Sequence, residues 1–120
     1  DDQVISSLSR DVEKILSDYN EIKSAQTAEE AIHAWQRATG FGNSSRSAVQ
    51  QAQLVDTPEG SEVYLERLRS FISDDLAPVY YSNLISPVLD GFLSPTPTVS
   101  ASARARAVSI LEDALGSIRL

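Results

Sequence analysis

"VSASARARA", residues 99–107, alternates small and polar residues, the pattern of an extended strand. All the other patterned stretches read as helix, so these nine residues decide whether the fold is all-α. Alanine fits a pleated sheet poorly and is the best helix former. Val108, Leu111, Leu115 and Ile118 then follow at steps of three and four, the spacing of one helical face. The spacing predicts a helix over about 99–118.

Immediately upstream, "SPTPT" (94–98) reads as an extended, polyproline-like connector. Before it, Val79, Tyr80, Tyr81, Leu84, Ile85, Val88, Leu89, Phe92 and Leu93 cover more than one face of a helix. A helix that is apolar nearly all round is expected at the centre of a bundle. Pro78 suits its first turn, and Pro87, which has no N–H, predicts a kink or break inside it. Further back, "DTPEG" (56–60) is a helix start with Thr57 as cap and Pro58 at the first helical position. That helix runs to about Asp74, with Tyr64, Leu65, Leu68, Phe71 and Ile72 inward and Glu62, Glu66, Arg67 and Arg69 outward. Residues 45–54 give a narrower face of Ala48, Val49, Ala52 and Leu54.

In the N-terminal part, Ile5, Leu8, Val12, Ile15, Tyr19 and Ile22 alternate at three and four, predicting a helix over about 3–23. "TAEE" (27–30) is a capping box, with Thr27 bonding an early N–H and Glu30 reaching back to the Thr27 N–H. The helix it opens, 28–39, ends at Gly40, ahead of a loop, "GFGNSS" (40–45), in which Phe41 can fold back onto the helix end. Its apolar stripe is Ala28, Ala31, Ile32, Trp35 and Ala38. Trp35 therefore belongs to the core, and His33 to the polar side with Glu29, Gln36 and Arg37. The expected fold is an all-α bundle of five to six helices with short loops and a Pro-kinked central helix, one domain over 1–120.

At 120 residues the chain is long enough to bury a core without staples. It has no cysteine, so disulfides and thiolate metal sites are excluded, and no apolar run approaches the ~20 residues of a membrane span. The net charge of −7 disfavours a nucleic-acid partner, which is bound through cationic patches. Methionine is absent, which suggests a processed or excised chain, and Asn43 in "NSS" (43–45) is a glycosylation sequon. Together these point to secretion.

Catalytic chemistry finds little support. Glu30-Ala-Ile-His33 has the Glu-x-x-His spacing of helical metal sites, but a paired site needs a second histidine and this chain has only one. No G-x-S-x-G elbow or glycine-rich phosphate loop is present. Glu62, Glu66, Asp74 and Asp75 lie among arginines, the pattern of a solvated salt-bridge lattice. The expectation is no enzyme, no metal and no cofactor.

What the chain has in surplus is apolar surface. Tyr64, Phe71, Tyr80, Tyr81, Leu84, Ile85, Val88 and Phe92 are concentrated on two consecutive helices. They read as core, or as the lining of a cavity beside a kinked helix, with tyrosine hydroxyls for a polar head group. The last two helices with their SPT connector resemble the fungal hydrophobic surface-binding and cell-wall mannoproteins. The resemblance covers most of the chain as composition and helix order, and transfers no site residue. It implies a small secreted helical bundle and an apolar ligand, since some relatives bind fatty acids. The expected function is thus non-enzymatic binding of a fatty-acid-like ligand or a hydrophobic surface. The alternative is a structural or interaction module that self-associates or docks a partner through helix faces.

Overall fold

A computed structural model describes residues 2–40, 58–94 and 99–118, with backbone alone over 58–61. Every regular element among them is helical: α1 (Asp2–Lys23), α2 (Ala28–Thr39), α3 (Pro58–Ser70), a π-helical segment (Phe71–Leu76), α4 (Ala77–Leu93) and α5 (Ala101–Ser117). The all-α class holds, but not the count. α3, the π segment and α4 follow one another with no loop between them, so the described residues form four separate helices rather than five or six. The expected helix at 45–54, the Thr57 cap, Phe41, Asn43 and residues 95–98 of the connector lie outside the described residues. No described helix is long and apolar enough to cross a membrane.

The strand-like stretch is helix, and its residues explain why. Ser100 is extended and its hydroxyl accepts a hydrogen bond from the Ala103 N–H at 3.2 Å, capping α5. Ala103 and Ala107, one turn apart, are fully buried and share a cluster with Ile5 of α1. Small side chains there let the helix backbones approach closely. Leu8, Phe92, Val99 and Ile110 pack around that cluster. The arginines of the stretch lie on the outer side: Arg104 donates to the Ser94 carbonyl, and Arg106 reaches Asp2 at 3.4 Å. The alternation of small and charged residues is thus a helix with an alanine stripe inward.

The chain divides into two compact units, Asp1–Ser17 with Pro78–Leu120, and Asp18–Ala77. In the first, Ile5, Val12, Tyr81, Ile85, Leu111, Ala114 and Ile118 are buried with the alanines. In the second, the core is Tyr19, Ile22, Ala28, Ala31, Ile32, Ala34, Trp35 and Ile72. The Thr27 side chain caps α2 by accepting from the Glu30 N–H at 3.2 Å. The return bond differs from the expected box, since the Glu30 carboxylate accepts from the Gln26 N–H at 3.1 Å rather than from Thr27. Gly40 ends the helix at φ 75°, a left-handed conformation that favours glycine, with its N–H bonded to the Gln36 carbonyl.

Two expectations for the long helical run are corrected. Of the kink or break expected at Pro87, the break is absent, since α4 continues through that position. The irregularity lies at the π segment, where the Ala77 N–H bonds the Ile72 carbonyl five residues back. The reason is visible in the buried positions. Ile72 and Ser73 are followed by Ala77 and Pro78, a step of five, and then by Tyr81, Ser82 and Ile85 at steps of four and three. The wider π turn accommodates the extra residue and keeps one stripe buried. Nor is α4 enclosed on all sides. Its buried stripe contains two small residues and a serine, while Val79, Leu84, Val88 and Leu93 are exposed. On α3 and the π segment, Tyr64 and Phe71, expected inward, are also exposed.

Candidate binding groove

On α1, Gln3, Ser7 and Asp11 recur every fourth residue, and Val4 and Leu8 recur beside them at the same interval. Side chains four apart lie over one another on a helix, so the first set forms a polar rail and the second an apolar one. Phe92, in the last turn of α4, lies opposite. Together the six residues line an open hollow of about 450 Å³. Its floor is backed by packed protein, because Leu8 and Phe92 also touch the Ile5–Ala103–Ala107 cluster. Val4 is 42 % exposed, so the apolar rail is available to a ligand.

The eight residues expected to line a ligand cavity are divided between the two units. Tyr81 and Ile85 are buried in the core of the first unit, and Tyr80 is half-buried with its ring edge-on to Tyr81 at 5.1 Å. Leu84 and Val88 point outward on α4, while Tyr64 and Phe71 belong to the second unit. Phe92 is the member that lines the groove. Of the other five lining residues, Leu8 is read from the sequence as part of the α1 seam, and none of the five as part of a binding site. Their signal is the Val4–Leu8 pair beside the Ile5–Leu8–Val12 seam, which widens the apolar face by one position over the first two turns.

A second, smaller hollow of about 260 Å³ surrounds His33, with Glu21, Ser24, Ala25, Glu30, Ala34 and Arg37. Its polar groups already engage one another: Arg37 pairs with Glu21, and Glu30 is held by the Gln26 N–H. His33 is exposed and Trp35 is buried, as the helix spacing predicts. Among the described residues no group of three or more metal-ligating side chains comes together.

Two of the carboxylates considered for acid–base work, Glu66 and Asp74, are held as anions. A hydrogen bond from Arg69 lowers the Glu66 carboxyl below its ordinary value, and the same bond raises Arg69. Asp74 is lowered first by its hydrogen bond from Lys23, at 2.9 Å, against some desolvation. All these groups belong to the second unit, whereas the Gln3–Asp11 rail belongs to the first. Comparison with family models, with curated proteins and with solved structures gives no match.

Proposed function

We propose that this chain is a non-enzymatic helical protein that binds an apolar chain or surface through the groove between α1 and α4. The observation that carries the reading is the juxtaposition of Val4, Leu8 and Phe92 in one solvent-accessible hollow with a polar rail along a single edge. Such a site offers an aliphatic chain a one-sided apolar bed and its head group a set of hydrogen-bond partners. It differs from the enclosed cavity that the sequence suggested, so the bound chain stays partly wet. Burying about five methylenes at ~0.8 kcal/mol each supplies roughly 4 kcal/mol, which corresponds to millimolar affinity before other terms. Decyl glucoside, an uncharged single-chain probe, titrated below its micelle concentration, should give saturable heat with one-to-one stoichiometry. Val4→Glu places a charge in the bed at an exposed position. It should abolish that binding while the circular dichroism spectrum is unchanged. Absence of saturable binding by the parent protein would overturn the proposal.

A second reading, docking of a protein partner or a second copy, is favoured by a different observation. α4 leaves Val79, Leu84, Val88 and Leu93 exposed, Leu84 and Val88 one turn apart, and the whole helix has a single charged residue, Asp90.

A further inference from the structure

The rail along the groove has a definite charge. Of its three polar residues, Gln3 and Ser7 are neutral and Asp11 is the one ionisable group lining the hollow. Asp11 is exposed and has no ion-pair partner among the described residues. The neighbouring cations of α1, Arg10 and Lys14, do not line the groove. At the start of α1 the favourable end of the helix dipole for an anion is offset by Asp2, in the first turn, which also takes up Arg106. An aliphatic chain lying on Val4 and Leu8 therefore has its head group beside a carboxylate, a hydroxyl and an amide oxygen. All three accept hydrogen bonds, and the carboxylate repels an anionic head.

Resting on the apolar-chain reading above, we infer that the groove selects single-chain amphiphiles with a cationic head, a long-chain ammonium, over fatty-acid carboxylates. A primary ammonium has three donors and no acceptor, the complement of the Gln3–Ser7–Asp11 rail. The spacing of the rail, one helical turn per residue, lets the head move between adjacent acceptors while the chain stays on the apolar bed. A carboxylate head finds only the Ser7 hydroxyl and the Gln3 amide as donors and meets Asp11 as a like charge. The selection is by charge at one end of a shared chain.

Three probes with one ten-carbon chain test this: decylammonium, decyl glucoside and decanoate, each titrated calorimetrically into the full chain at pH 7 and low salt. Decylammonium should bind about tenfold more tightly than decanoate, the scale of a partly exposed ion pair gained and a like-charge contact avoided. Asp11→Asn should bring the two within about twofold, with decyl glucoside changing less than either charged probe, and Asp11→Lys should reverse the order, as expected for one partly exposed charge. Glu13→Gln removes the same charge outside the groove and should keep the parent preference, which separates the rail from the general acidity of the chain. Equal binding of all three probes by the parent protein, or a preference that survives Asp11→Asn, would refute the head-group inference and leave the apolar-chain reading standing. Failure of every probe to bind would remove both.

Discussion

Trp35 and His33 stand two positions apart on α2 and occupy opposite environments. Two residues of α-helix turn a side chain by about 200°, so one of the pair faces the core when the other faces water. Trp35 is 4 % exposed, with its backbone carbonyl accepting from the Thr39 hydroxyl at 2.7 Å in the last turn. Removing the indole leaves a large void among Ile32, Ala31 and their neighbours, and Trp35→Ala should cost about 3–5 kcal/mol in urea unfolding. His33→Ala deletes an exposed ring whose carboxylate neighbours are already engaged, and should change stability by no more than about 0.5 kcal/mol. A His33→Ala variant as destabilised as Trp35→Ala would show that the two environments had been assigned the wrong way round.

At the scale of the elements, the end of α1 is joined to the π segment by Lys23 and Asp74, 2.9 Å apart. The hydrogen bond from Lys23 holds the folded-state value of the Asp74 carboxyl below the ordinary one. The pair consequently adds stability above the pH at which Asp74 ionises in the unfolded chain, and that stability is lost as pH falls through the folded-state value. Asp74→Asn should therefore be less stable than the parent at pH 7 and indistinguishable from it near pH 2. Both side chains are more than a third exposed, 39 % and 59 %, so screening keeps the difference under about 1 kcal/mol, and molar salt should shrink it. A difference unchanged between pH 7 and pH 2 would show that Asp74 stabilises by something other than its charge.

Among these elements, the ones legible in the sequence are those with an unbroken period and a cap. α1 and α2 follow their apolar spacing to within a residue or so, and Thr27 and Gly40 mark the ends of α2. The 99–107 stretch was legible through alanine's propensity rather than through its alternation. In the run from Pro58 to Leu93 the helices and the start at Pro58 were legible, but the continuity and the inward face were not, because the buried stripe changes step at Ile72–Ala77 and carries Ser73 and Ser82 in place of larger apolar residues. Polarity alone then assigns Leu84 and Val88 to the core and the serines to water, the reverse of what is found. The groove was half legible. Phe92 stood out as an aromatic on a helix, whereas Val4, Gln3, Ser7 and Asp11 are ordinary residues whose meaning lies in the fourfold spacing beside a seam.

Over the molecule as a whole, exposed apolar side chains coexist with a net charge of −7. The two have opposite consequences for encounters between copies of the chain. Charge repulsion acts over the Debye length, about 10 Å at 0.1 M salt and 3 Å at 1 M, while apolar burial acts only at contact and is not weakened by screening. At low salt repulsion keeps copies apart, and at high salt the exposed apolar pair Leu84 and Val88 is free to make contacts. Leu84 and Val88, one turn apart and each contributing roughly half of the ~1.5–3 kcal/mol of full burial, amount to about 2 kcal/mol per copy. That is enough for weak association at high concentration and too little for an obligate dimer. Sedimentation velocity should show a single slow species in 20 mM salt and a concentration-dependent increase in sedimentation coefficient in 1 M sodium chloride. Leu84→Glu combined with Val88→Lys adds one charge of each sign, leaves the net charge at −7 and should hold the protein in the slow form at both salts. Association of the parent that is strongest at low salt would mean that ion pairs, not this apolar face, bring the copies together.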